Sequence, residues 1–410
     1  MSNRPLVSVV MPTYNHARFV EASIASVLAQ QGVDLELLIC DDGSTDNTRD
    51  VVARQQDPRI QFEPNTVNRG ACVTVNSLIA RAKGEFIALI NSDDVWSRPD
   101  KLALQLAQFE DNPKLGACFG RAAFIDADGQ IIPAATVPFG AAFDQANRSQ
   151  GQWLHDIFFK GNALCHPSIL IRRQCYEELG NYDNRLRQLP DMDMWVRLVK
   201  AYPIHVCEEV LVNFRVLPGE NASSPTAVNN IRTMNEHYLI AESFLEGVPT
   251  GLLKDAFGAL LPFLDFEQPT HVDLARVLPF FHARGSLHNA YHLMGHLKLN
   301  ALLASPVHAA ALKQVANIDD LWFQKSLGQH DCLLLNRQNI EDHLRHQHNL
   351  QIQQIQQSHE SQIALLATEI AQLAVQVQEL QTEQRRLMNG KYWVKQYWRK
   401  KTGKKPLASS

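Results

Sequence analysis

The chain has 410 residues, 45% of them hydrophobic, and a formal net charge of −4. That length buries a large core and calls for more than one domain, while so small a net charge gives no global attraction to nucleic acid or membranes. Seven cysteines are dispersed without a CxxC pair, which points to reduced thiols in a cytosolic compartment rather than a disulfide framework.

The N-terminal "MSNRPLVSVVMPTYN" lacks the apolar core and small-residue cleavage site of a leader peptide. "LVSVVM" reads as a short buried strand ending at Pro12, and Phe19, Val20, Ile24, Val27 and Leu28 then share one helical face. "LELLIC" is a second buried strand, closed by Asp41 and Asp42; the two strand ends lie about 30 residues apart, the size of one βαβ unit. "RIQFE" reads as a third strand, "TVNSLIARAKG" as a helix capped by Gly84, and "FIALI" as a fourth strand that stops at Asn91, Ser92, Asp93 and Asp94. Buried strands alternating with helices predict a mostly parallel sheet covered by helices. All three polar clusters, Thr13 to Asn15, Asp41 with Asp42, and Ser92 to Asp94, follow strands. On an open α/β sheet that edge is where ligands bind.

Between Asp100 and Phe214 the pattern is mixed, with "HPSILIRR" strand-like and "PDMDMWVRLVKAYP" helical, Pro190 in its first turn and Pro203 at its exit. After the linker "LPGENASSPTA", residues from about 228 to 330 read as short amphipathic helices broken at Gly247, Pro249, Pro262, Pro279 and Pro306, with no catalytic constellation. Ile363, Leu366, Ile370, Leu373, Val377, Leu380 and Leu387 then follow a 3-4 spacing that extends back through Ile352, Gln356 and His359. Such a stripe suits a parallel two-stranded coiled coil, the alternative being one long helix packed on its own domain. No run reaches ~18 uninterrupted apolar residues, so no membrane span is expected. The tail "KYWVKQYWRKKTGKK" holds seven Lys/Arg, four Tyr/Trp and no acid. Near an anionic membrane each base contributes up to ~1 kcal/mol, and aromatics favour the interface; RNA binding and a solvated helix end are the alternatives.

Adjacent carboxylates at the end of a core strand resist burial unless a cation belongs there. Asp93 and Asp94 suit Mg²⁺ or Mn²⁺, which complete their shells with phosphates; otherwise they form an Asp-rich turn capping a helix that starts near Pro99. Asp41 and Asp42 in "LLICDDGSTDNT" lack the alternation of a calcium loop. They are either an Asx-type turn or acceptors for a nucleobase imide or ribose hydroxyls. Asp193 and Arg197 are spaced for a surface pair, whereas Asp191 shares a face with Trp195 and Leu198 and turns inward. It is a candidate general base, or simply a helix N-terminal acid.

Together "VSVVMPTYNHARFVEASIASVLAQ", "LLICDDGSTDNT", "NRGACVTVNSLIARAKGEFIALINSDDVW" and "PDMDMWVRL" resemble the signature blocks of family 2 glycosyltransferases, over about residues 5 to 215. The resemblance implies a GT-A fold, a nucleotide-sugar donor, a divalent metal and inversion at the anomeric carbon. It assigns Pro12, Thr13 and Tyr14 to the nucleotide pocket, Asp42 with Asp41 to the base, Asp93 to the ribose or sugar, Asp94 to the metal and Asp191 to the general base. His166 matches a recurring family histidine and, with Trp195, is a candidate for the acceptor pocket; a structural role for the histidine is the alternative. Two departures stand out. Val75 occupies a position often held by arginine, leaving Arg69 for the diphosphate. Leu217 stands where the family often has a histidine two residues after an arginine like Arg215.

The expected architecture is therefore a GT-A glycosyltransferase domain over 1–225, a helical domain over 226–335, a coiled coil over 336–390 and a basic aromatic tail over 391–410. The expected activity is metal-assisted, inverting transfer from a UDP- or dTDP-sugar to a hydroxyl of a glycan or lipid-linked glycan. The expected setting is cytoplasmic, peripheral on the cytoplasmic membrane face, with a coiled-coil homodimer and no nucleic acid. The competing reading is an inactive GT-A domain serving as a coiled-coil scaffold. Nucleotidyl transfer would want a glycine- and lysine-rich phosphate loop, which "MPTYNHARF" does not supply.

Overall fold

The computed structural model describes residues 7–221, 224, 226–332 and 335–403. Residues 1–6 of the expected first domain, linker residues Ala222, Ser223 and Pro225, residues 333–334 of the expected helical domain and residues 404–410 of the expected tail lie outside the described residues. The chain forms two compact units, Met1–Cys332 and Leu333–Ser410.

The first unit opens with strand β1 (Val7–Thr13), helix α1 (Val20–Leu28), β2 (Leu35–Asp41), α2 (Thr48–Ala53), β3 (Ile60–Pro64), α3 (Ala71–Ile79) and β4 (Phe86–Leu89). These four strands pair in parallel in the order β3-β2-β1-β4. β2 is buried along its whole length and β1 nearly so, which is why their sequences are almost unbroken apolar runs. Pro12 is tolerated inside β1 because β4 has already ended beside it. The Val10 carbonyl takes its bond from Ile90 N, and the alternation of the ladder turns the missing N–H of Pro12 to that same vacated side. The register sets Thr13 beside Asp41, so the polar ends of β1 and β2 face each other.

The second half adds β5 (Val95–Trp96), α4 (Lys101–Asp111), β6 (Ala117–Ile125), β7 (Ile131–Ile132), α5 (Gln150–Lys160), β8 (Leu170–Arg172), α6 (Arg173–Leu179), α7 (Pro190–Ala201) and β9 (Ile204–Arg215). The sheet continues β4-β8-β6-β9-β5, with β7 on β6. Only β6–β9 is parallel here, so the parallel arrangement foreseen for the first hundred residues gives way to a mixed half. One local expectation is corrected. Gly84 does not cap α3, which closes at Ala80. A Cβ at Gly84 would stand 2.6 Å from Ser8 N, so glycine is needed for this close backbone approach.

Helices α8 (Ala227–Ser243), α9 (Thr250–Phe257), α10 (Pro269–Ala275), α11 (His288–Leu303), α12 (Pro306–Ala316) and α13 (Asp320–Gln329) follow. They share a core with the α/β part. Phe158 of α5 packs within 5.5 Å, centroid to centroid, of Phe244, Phe257, Phe280 and Tyr291. Aromatic burial of this kind dominates core energetics, which accounts for the helical region sharing one compact unit with the sheet.

The second unit is helix α14 (Leu335–Thr402), 68 residues and about 100 Å long. The stripe residues Ile363, Leu366, Ile370, Leu373, Val377, Leu380 and Leu387 are all more than half exposed. The helix runs unbroken through Gly390, so the aromatic tail forms its last turns. No run of ~18 uninterrupted apolar residues occurs in the sequence, yet an 18-residue window between Leu344 and Thr402 reaches a mean hydropathy of 1.2, enough by length and composition for a membrane span. Its narrow 3-4 stripe fits a coiled-coil seam better than the all-round apolar surface lipid requires.

Candidate active site

The ends of β1 and β2 build the first wall. Asp41 and Asp42 are both buried, but they differ in what they hold. Asp42 is saturated: it accepts hydrogen bonds from Arg69 N (2.9 Å), Gly70 N (2.8 Å) and Asn65 Nδ2 (2.9 Å), anchoring the loop that leads into α3. Asp41 Oδ2 accepts from Arg49 Nε (2.7 Å) and Ser44 N (3.0 Å), while its Oδ1 has no hydrogen-bond partner among the described residues. Thr13 Oγ1, its neighbour across the ladder, is also buried without a partner. Such orphaned atoms cost about 1–3 kcal/mol each unless a ligand or water meets them. Beside them Tyr14 and Arg69 are exposed and Pro12 is half-buried.

The turn after β4 builds the floor. Asp93 and Asp94 are buried and do not cap α4, whose cap position belongs to Asp100. Asp94 Oδ1 accepts from Arg215 N (2.8 Å) and Oδ2 from Asn91 Nδ2 (2.9 Å). Asp93 Oδ2 has a loose contact with Asn221 Nδ2 (3.4 Å), and Oδ1 lies 4.0 Å from His16 Nδ1. Burial raises the Asp93 carboxyl above its usual range, with His16 opposing the shift. Burial raises Asp94 well above, and the neighbouring Asp93 charge adds to it. Two acids held this way share protons or a cation. The turn is stapled from outside: Ser23 Oγ donates to the Ser92 and Asp94 carbonyls, and Arg215 Nε to the Asp93 carbonyl.

Helix α7 brings in Asp191 from its first turn. The carboxylate accepts from Asn162 Nδ2 (2.6 Å) and Met192 N (2.8 Å), and burial lifts its pKa to about 6. Its neighbour Asp193 pairs outward with Arg197 at 2.7 Å. Burial raises the Cys165 thiol well above its usual range, and the Asp94 and Asp191 carboxylates add to that rise. Asp191 also adds to the rise that burial gives the Cys72 thiol of α3, whose N-terminal backbone Asp42 anchors. His166 accepts or donates at 3.1 Å to Tyr182 Oη, and burial lowers its pKa to about 4. Trp195 is fully buried, stacked edge-on against Phe119, and backs the His166 ring from the core.

Several residues at this cleft carry no sequence signal of their own. Asn162 follows the end of α5, His16 and Asn221 come from loops, and Arg215 ends β9. Glu236 of α8, in the region read as lacking a constellation, accepts from the backbone N–H groups of Arg187 (2.9 Å), Gln188 (2.8 Å) and Leu189 (2.8 Å) just before α7. Of the two departures, Val75 is buried in the core and Leu217 is buried with its N–H bonded to Asn221 Oδ1.

A mixed sheet with acids gathered at the carboxyl ends of its parallel strands has the GT-A architecture. The chain belongs to glycosyl transferase family 2, whose model matches residues 8–180. It is a glycosyltransferase that uses a nucleotide-sugar donor. A Bacillus subtilis (strain 168) protein named as a glycosyltransferase, EpsE, is 30% identical over 206 residues, 48% of this chain and 68% of its own. The Escherichia coli UDP-Glc:alpha-D-GlcNAc-diphosphoundecaprenol beta-1,3-glucosyltransferase WfgD is 43% identical over 107 residues, 26% of this chain and 42% of its own. Among solved structures, S. aureus TarS 1-349 in complex with UDP-GlcNAc superposes with a TM-score of 0.50 at 16% identity, covering 79% of this chain and 91% of that one. That likeness bears on the fold alone.

Proposed function

We propose that the protein moves a sugar from a UDP- or dTDP-sugar to a hydroxyl of a glycan or lipid-linked glycan, with inversion, and that Asp191 is the general base. The observation that carries this is the pair of buried acids Asp93 and Asp94 at a strand edge, whose oxygens are hydrogen-bonded, among the described residues, only by amide donors. Their chemistry fits a hard divalent cation, Mn²⁺ or Mg²⁺, held by Asp94 with Asp93 toward the ribose or sugar. When bound, the cation offsets charge on the departing diphosphate. The nucleobase lies against Thr13, Tyr14 and Pro12. Asp41 Oδ1 and Thr13 Oγ1 provide the acceptor and donor left unpaired there, and Asp42 shapes the loop that carries Arg69 toward the diphosphate. Asp191 takes the proton of the attacking hydroxyl, and His166, with Trp195 behind it, borders the acceptor. WfgD, by its name a glucosyltransferase from UDP-Glc to a diphosphoundecaprenol-linked sugar, supports the donor and the lipid-linked acceptor.

The seam of α14 pairs two copies in parallel, and residues 391–410 rest on an anionic cytoplasmic membrane face near such an acceptor. The segments 1–225, 226–335, 336–390 and 391–410 then serve transfer, support, pairing and anchoring. A binding screen of UDP, dTDP and GDP sugars with and without Mn²⁺ tests the donor reading. One donor bound in a metal-dependent way is expected; no binding of any donor would overturn it.

A further inference from the structure

On the far side of the sequence from the cleft, the helical region gathers a cluster of histidines that the transfer reaction does not use. His288 and His292 stand one turn apart on α11, and His330 directly follows α13. Each offers a ring nitrogen, and these atoms lie within 4.8 Å of one another. Ring centroids are 4.0 Å apart for His288–His292 and 4.3 Å for His292–His330.

Two tautomers are fixed by what the rings touch. His288 Nδ1 faces the Ala283 carbonyl at 3.2 Å, and His330 Nδ1 faces the Ser326 carbonyl at 2.9 Å. A carbonyl only accepts, so both Nδ1 atoms carry hydrogen and both Nε2 atoms keep free lone pairs. This is the carbonyl-supported arrangement that orients metal-bound histidines. His292, between them, is 2% exposed, and among the described residues neither ring nitrogen meets a partner in hydrogen-bond geometry. A buried imidazole with both nitrogens unpaired is costly unless something coordinates it. His296 is a support instead: its Nδ1 donates to the His292 carbonyl (2.7 Å) and its Nε2 meets Ser326 Oγ (2.9 Å).

We propose that His288, His292 and His330 form a zinc site that ties α11 to the end of α13. Three neutral imidazoles without a carboxylate or thiolate suit Zn²⁺ over Mg²⁺ or Ca²⁺. Tetrahedral Zn–N bonds of about 2.0–2.1 Å place ligand nitrogens roughly 3.3 Å apart, so small rotamer changes close the observed triangle. The fourth position goes to water. The site lies just before the chain enters α14, where it fixes the end of the first unit.

The test uses untagged full-length protein stripped of metal, titrated with Zn²⁺ against a chromogenic chelator, beside His288→Gln, His330→Gln and Asp94→Asn. His288 and His330 are half-buried, so glutamine there leaves the fold intact, which the metal-free unfolding midpoints verify. The wild type is expected to take up one Zn²⁺ per chain and to gain ~2 °C or more in its midpoint. Each glutamine variant weakens uptake roughly tenfold or more. Asp94→Asn retains it. Absence of uptake by the wild type, unchanged uptake by both glutamine variants, or its loss in Asp94→Asn would each overturn the proposal.

Discussion

In the proposed reaction the proton taken from the acceptor goes to Asp191, a carboxylate whose pKa burial has moved to about 6. The base works only when deprotonated. Turnover under saturating donor should therefore be full above that value and fall as pH drops through it. Asp191→Asn should lower turnover by about 10²–10⁴-fold with nucleotide binding nearly intact; unchanged turnover would remove Asp191 from the reaction. Asn162 donates to the carboxylate and so favours the charged form. Asn162→Ala should move the acidic limb of the pH profile upward, which rate measurements across pH 5 to 8 would read. The inward turn of Asp191 was legible in the sequence because its helix face includes Trp195 and Leu198. Asn162 was not, because it reaches Asp191 across 29 residues from the end of another helix. Nor could spacing tell Asp41 from Asp42. Only the saturation of Asp42 by Arg69 N, Gly70 N and Asn65 Nδ2 shows which of the two keeps an open oxygen.

For α7 as an element, the chain from sequence to chemistry runs through α8. Glu236 gathers the three N–H groups leading into α7, and an anion at a helix N-terminus is favoured. Its charge also raises Asp191. Glu236→Gln replaces one acceptor oxygen with a donor and removes that charge. It should destabilise the first unit by about 1–3 kcal/mol, lower turnover and shift the acidic limb of the pH profile down. A loss of stability with the limb unmoved would reduce Glu236 to a structural residue. The parallel half of the sheet was readable because β1 and β2 are long apolar runs alternating with amphipathic helices. The mixed half was readable only in part: the strand-like "HPSILIRR" contains β8, but β5 spans two residues, too short for any period, and both strands take their partners from distant segments. The helical region was read correctly as helices, yet its tie to the active site rests on Glu236, which no local pattern distinguishes from a surface acid.

Across the whole molecule, α14 was the most legible element, because a 3-4 stripe over several heptads survives without tertiary context. With its apolar seam more than half exposed, the full chain should form a dimer in light scattering, and truncation after Cys332 should give a monomer. A full-length monomer would remove the coiled-coil pairing. Flotation with anionic vesicles should fall when residues 391–410 are deleted; equal flotation would discard membrane contact by the tail. In the proposed reaction, acids from β2, the turn after β4 and α7 meet in one hollow around a metal-held diphosphate. Calorimetric titration of the preferred nucleoside diphosphate tests it most directly, with and without Mn²⁺, in the wild type, Asp94→Asn and Asp191→Asn. Manganese-dependent binding should appear in the wild type, persist in Asp191→Asn and disappear in Asp94→Asn. Binding that ignores Mn²⁺, or survives Asp94→Asn undiminished, would contradict the account.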